Sequence, residues 1–199
     1  KRGYQVIKSD KIFLLRLARK EIASKLKIDW NDYSDRVPVK PTDSIKEVTG
    51  TFVTLTIDDN LRGCIGQITP RDTIENTIKE NALSAAFYDP RFDELGKDEF
   101  MKIQVELSIL SKPQQLLYDD VSELLGKVQK DLHGIIIRKG SSSATFLPQV
   151  WEDISTKEEF LMHLCIKAGL LPDEWKKGKL DVYTYTVEHF NEKELNLTL

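Results

Sequence analysis

Residues 51–57, Thr-Phe-Val-Thr-Leu-Thr-Ile, put Val53, Leu55 and Ile57 on one side of an extended chain and Thr54 and Thr56 on the other. Asp58-Asp59-Asn60 then reads as a turn, and the hexapeptide Leu61-Arg62-Gly63-Cys64-Ile65-Gly66 follows at once. Two strand-like runs separated by a turn of that type predict a β-hairpin whose second strand carries the hexapeptide. This feature constrains the fold most, because it demands an antiparallel sheet with one apolar face.

The other segments mix helices with further antiparallel strands. Ile12, Leu15, Ala18, Ile22 and Leu26 recur at helical spacing and predict a helix over 10–27, with Ser9 or Asp10 as its cap. Residues 29–50, with Pro38 and Pro41, read as a long connection. A helix over 72–87 buries Ile74, Ile78, Ala82 and Ala85, takes Asp72 or Thr73 as cap and stops before Asp89-Pro90. Residues 101–111 predict a strand with Ile103, Val105, Leu107 and Ile109 inward and Gln104, Glu106 and Ser108 outward. A short helix near 120–129 precedes a second hairpin made from Ile135-Ile136-Ile137 and Ala144-Thr145-Phe146-Leu147. A helix over 156–168 starts at a Thr156 and Glu159 capping box and ends at Gly169, with Cys165 on its apolar stripe. Residues 180–190 alternate and predict one last strand. Hairpins and helices without regular βαβ alternation give an α+β class with a largely antiparallel sheet.

Composition narrows the function. Two cysteines, Cys64 and Cys165, make neither a disulfide framework nor a cysteine-rich metal site. His133, His163 and His189 lack metal-ligand spacing, so no metal and no cofactor is expected. The motifs of phosphate-loop hydrolases, dinucleotide-binding enzymes, α/β-hydrolases and zinc proteases are absent. A net charge of −3 excludes a generally basic, nucleic-acid-coating chain. Without a membrane-length apolar run or a leader-like start, an intracellular location is expected: cytoplasmic, or nuclear in a eukaryote. Residues 8–27 are locally basic, and Arg16, Lys20 and Lys27 lie away from the apolar stripe. They form either a patch for nucleic acid or another acidic partner, or the solvated face of an amphipathic helix.

Several residue types suit chemistry, each with a plainer alternative. In an extended strand Arg62 and Cys64 share a side, and a guanidinium beside a thiol favours the thiolate. Gly63 and Gly66 clear space for a ligand or another backbone. The plainer alternative is a small buried cysteine in a glycine-bulged strand. Asp89 and Arg91, on a proline-stiffened turn, present paired charges to a ligand or form a local ion pair at a helix stop. Glu106 serves as a general base if its face lines a cleft, or is simply solvated. His133 offers acid–base chemistry near neutral pH, or bonds to backbone as loop histidines commonly do.

These blocks together resemble the AMMECR domain family, named for a human chromosomal region linked to Alport syndrome, midface hypoplasia and elliptocytosis. The hexapeptide is similar to the family's signature. Ala85-Ala86-Phe87-Tyr88-Asp89-Pro90-Arg91-Phe92, Glu106-Leu107-Ser108-Ile109-Leu110, His133-Gly134-Ile135 and Ala144-Thr145-Phe146-Leu147-Pro148-Gln149-Val150-Trp151 resemble its further blocks, in the family's order. The resemblance covers residues 8–190 as one domain, leaving 1–7 and 191–199 as tails. It implies an intracellular α+β domain with a larger and a smaller subdomain and a cleft between them. Roles suggested for the family run from transcription, replication, repair and translation to an enzymatic pathway shared with Memo-like and radical-SAM proteins. The expected site then joins Cys64, Glu106 and His133 as chemical groups with Arg62, Gly63, Gly66, Asp89 and Arg91 as ligand-binding groups. The alternative is an interaction module that uses the basic helix.

Overall fold

Apolar side chains at alternate positions must find a cover, and here two separate sets do so. A computed structural model describes residues 5–30 and 39–197. The chain divides into two units, residues 1–110 with 188–199 and residues 111–187. Residues 31–38 of the long connection, residues 1–4 and residues 198–199 lie outside the described residues.

The first unit contains helix α1 (Lys8–Leu26), strands β1 (Thr51–Ile57) and β2 (Asn60–Gln67), helices α2 (Ile74–Phe87) and α3 (Lys97–Phe100) and strand β3 (Gln104–Leu110). Strand β8 (Val187–Asn191) completes a four-stranded antiparallel sheet in the order β2-β1-β3-β8. Val53, Leu55, Val105, Leu107 and Ile109 are buried on one face of it with Leu14, Leu15, Ala18 and Ile22 of α1 and Ile74, Ile78, Ala82 and Ala85 of α2. The Thr73 hydroxyl caps α2 by accepting the Asn76 N–H.

The second unit holds β4 (Gln114–Gln115), α4 (Val121–Lys127), β5 (Gly134–Lys139), β6 (Ser142–Phe146), α5 (Lys157–Lys167) and β7 (Asp181–Tyr185), with sheet order β4-β7-β5-β6. Ile135, Ile137 and Val182 meet the α5 residues Phe160, Leu161, Leu164 and Cys165 in its core. The Trp151 ring stacks on Phe160 at 3.7 Å between centroids. Cys165 is fully buried there, and the Thr156 hydroxyl caps α5 by accepting the Glu159 N–H.

Three expectations are corrected. The alternation over 180–190 belongs to two strands in two different sheets, β7 and β8. Leu180, Val182 and Phe190 are all buried, and their common parity hides the change of sheet. Neither Ser9 nor Asp10 caps α1, whose N-cap is Ile7 without a side-chain bond. Asp10 instead accepts from the Thr42 N–H and hydroxyl and the Ser44 hydroxyl at 2.6–2.8 Å, so it anchors the end of the long connection. Residues 191–197 are not a tail, since Leu195 and Leu197 pack on the first core.

The basic helix also changes character. Lys11 pairs with Glu188, and Arg19 turns inward with only 3% of its side chain exposed. Arg19 donates from Nε and Nη2 to the two oxygens of Glu192 at 2.5 and 2.6 Å, and to the carbonyls of Phe100 and Ile103. Glu192 also accepts the Val105 N–H, so both charges are hydrogen-bonded where water is excluded. A buried ion pair of this kind is costly to break from one side only. Arg19→Ala is expected to lower the unfolding free energy in urea by about 3–5 kcal/mol. Arg19→Lys should recover only part of that loss, because an ammonium cannot make the two-pronged contact.

Candidate functional site

The β1–β2 hairpin turns on Asp58 and Asp59, at φ 50° and 61°, the left-handed backbone that a tight hairpin needs. The register then slips. Leu55 pairs with Gly63 and Thr56 with Leu61, so Arg62 is an extra residue in a β-bulge. The bulge breaks the period of two on which the shared side of Arg62 and Cys64 rests. Arg62 is held elsewhere: its Nε and Nη2 donate to the two oxygens of Glu99 at 2.7 and 2.9 Å, and Nη2 also donates to the Asp93 carbonyl. That guanidinium holds the Glu99 carboxyl below its ordinary range.

Gly63 follows because α2 passes very close. A Cβ at Gly63 would stand 2.1 Å from the Ala85 carbonyl oxygen. Gly66 lies under the Phe52 ring, 2.2 Å from where its Cβ would be. Protein, rather than an open space for a ligand, fills the room at both glycines.

Cys64 sits on the outermost strand, opposite Thr54. Its backbone would face solvent, but the turn after α2 covers it. The Asp89 carboxylate accepts the Cys64 N–H at 2.9 Å, and Arg91 Nη2 donates to the Cys64 carbonyl at 3.3 Å. Asp89 is 2% exposed at its side chain and binds Arg91 through Nε, Nη2 and the backbone N–H. The Arg91 guanidinium, with the Cys64 N–H, holds the Asp89 carboxyl far below the usual carboxylate range despite burial. Asp89 and Arg91 are thus a local ion pair, and that pair also guards the strand edge. Beside it lies a hollow of about 510 Å³ lined by Arg62, Pro90, Arg91, Phe92, Asp93, Glu94 and Glu99.

The Cys64 side chain lies on the other face of the sheet from the core. Its Sγ accepts the Thr54 hydroxyl at 3.3 Å. Thr54 in turn stands opposite Glu106 on β3, so thiol, hydroxyl and carboxylate form one row across three strands. Beyond Phe52 on the same face, Ser108 Oγ lies 2.9 Å from His189 Nδ1. Cys64 and Glu106 are both half-buried. His133 belongs to the second unit, where its Nδ1 accepts the Gln129 N–H and burial pushes its pKa down. Among the described residues no cluster of three or more histidine, cysteine or acidic side chains is arranged to hold a metal ion.

Sequence reasoning missed Thr54, Glu99, Ser108 and His189. Thr54 and Ser108 were legible as outward-facing strand positions. The Glu99 contact with Arg62 spans 37 residues and left no periodic signal.

The AMMECR1 family model matches residues 15–190 of this chain. The chain belongs to the AMMECR1 family. It is 39% identical over 191 residues to Protein MK0488 of Methanopyrus kandleri, covering 92% of this chain and 88% of that protein. It is 36% identical over 181 residues to Protein NEQ441 of Nanoarchaeum equitans, covering 90% and 98%. The crystal structure of uncharacterized protein PH0010 from Pyrococcus horikoshii superposes with a TM-score of 0.69 at 34% identity, covering 91% of this chain and 90% of that one. The α+β architecture is therefore a property of this AMMECR1 chain and of a solved relative. Among the described residues no helix is long and apolar enough to cross a membrane.

Two expectations follow for this part of the AMMECR1 chain. Asp89 titrates below its ordinary 3.8, so its stabilising contribution is complete above about pH 5 and drains away as pH falls below 3.8. Asp89→Asn should therefore cost about 1–3 kcal/mol near neutral pH and flatten the acid limb of an unfolding curve followed against pH. Gly63→Ala should lower the melting temperature, at a cost of about 1–3 kcal/mol, because helix backbone must move.

Proposed function

We propose that the polar face of the first sheet is a small-ligand site with Cys64 as its reactive thiol. The observation that carries this reading is the row Cys64, Thr54 and Glu106 across β2, β1 and β3. The Thr54 hydroxyl orients the sulfur through its hydrogen bond. Asp89 and Arg91 fix the backbone of Cys64 from the strand edge, so the thiol stands on a rigid support. Arg62 and Arg91 line the adjoining hollow.

Glu106 stands two strand spacings from Cys64, roughly 9–10 Å between backbones. It is too far to take the proton of the thiol directly, and acts as a base or anchor on a ligand lying across Thr54. His133 keeps its backbone bond and has no part in this reading. The alternative, an interaction module using the basic helix, keeps Lys20 and Lys27 exposed but loses Lys11 and Arg19, which are committed to Glu188 and Glu192.

Alkylation of the native protein by iodoacetamide, followed by peptide mass spectrometry, tests the thiol. Cys64 should be modified in the folded state, while Cys165, at 0% exposure, should react only on unfolding. Protection of Cys64 equal to that of Cys165 would end the proposal.

A further inference from the structure

Glu106 is a half-buried carboxylate on a sheet face whose immediate cross-strand neighbour is the neutral Thr54. It has no hydrogen-bond or ion-pair partner among the described residues. Partly buried charges are ordinarily paired, because removing them from water is expensive. Gln104, two residues back on the same face, carries a buried amide oxygen that also has no donor. Two neighbouring acceptors therefore lack a donor. The buried Asp89 and half-buried Glu99 beside the hexapeptide are each matched to an arginine, while Asp93 and Glu94 of the adjoining hollow are exposed to water.

We infer that the site takes a ligand bearing an ammonium or guanidinium group, which pairs with Glu106 while another part of the ligand meets the Cys64 thiol. The inference rests on the reading of this face as a thiol site and names the class of ligand it accepts. Arg91 reaches the Cys64 carbonyl, so the cationic end belongs at the Glu106 end of the row. The separation suits a short linker. A thiol and a carboxylate projecting from backbones roughly 9–10 Å apart leave room for a chain of a few atoms between them.

Disulfide exchange on the native protein reads this directly. In each reaction the Cys64 thiolate attacks one sulfur of a symmetrical disulfide, the reagent's S–S bond breaks, and the other half leaves as a thiolate that takes up a proton. Three reagents are compared: cystamine (cationic), bis(2-hydroxyethyl) disulfide (neutral) and dithiodiglycolate (anionic). Mixed-disulfide formation is followed by intact mass, with Cys64→Ser as the blank, and each rate is divided by that with the neutral thiol N-acetylcysteine amide. Cystamine should exceed the neutral reagent by about three- to fivefold, the size expected of one partly exposed ion pair, and dithiodiglycolate should fall below it. Glu106→Gln should bring the three rates within about twofold of one another. Glu80→Gln, which removes the same charge from an exposed position on α2 away from the hollow, should leave the preference unchanged. A preference that survives Glu106→Gln, or equal rates in the unaltered protein, overturns the cationic ligand and leaves the thiol site standing. Failure of all three reagents to modify Cys64 overturns the thiol site itself.

Discussion

The Asp89 carboxylate holds the site together. An edge strand exposes unpaired N–H and C=O groups, and β2 is such an edge. Asp89 takes the Cys64 N–H and binds Arg91, whose guanidinium reaches the Cys64 carbonyl. One buried side chain therefore joins the end of α2 to the centre of the hexapeptide, 25 residues earlier. The close approach of Ala85 to Gly63 belongs to the same contact, because the helix must come down on the strand before its following turn can reach the edge. Proline at position 90 suits this geometry by ending the helix where the turn has to begin.

The Arg19–Glu192 pair performs a comparable task for the first unit. That unit is built from two pieces of chain separated by residues 111–187. Glu192 sits beyond the returning strand β8 and binds both α1, through Arg19, and β3, through the Val105 N–H. Hydrogen bonds to both oxygens offset the cost of taking the carboxylate out of water. Lys11 and Glu188 add a second link between α1 and the same returning segment. These contacts turn part of a basic helix into structural cement.

With its edge guarded and its apolar face covered, the sheet presents the outward-facing residues of three strands as a fixed array. Thr54 between Cys64 and Glu106 separates a thiol from a carboxylate by a set number of strand spacings. Among the described residues Glu106 stands unmatched in that array, while Asp89, Glu99 and Glu192 each have an arginine. The sulfur, oriented by a hydroxyl rather than by a charged side chain, is left for whatever lies across the row.

By itself, the sequence determined most of the elements and the strand positions of the polar residues. Period-two and period-3.6 patterns marked the hairpins and α1, α2 and α5, because burying one face of an element leaves a local record along the chain. The same patterns placed Cys64 and Glu106 on strands, and the block order pointed to the AMMECR1 family. The partners were decided by tertiary structure. Arg62 turns to Glu99 because a bulge breaks the strand period, and the alternation over 180–190 serves two sheets because parity is unchanged at the crossing. Asp10 anchors Thr42 instead of capping its helix, and Glu192 is a buried anchor instead of part of a tail. Contacts between residues distant in sequence depend on how whole faces meet. Periodicity reports which face is buried and carries no record of what lies against it.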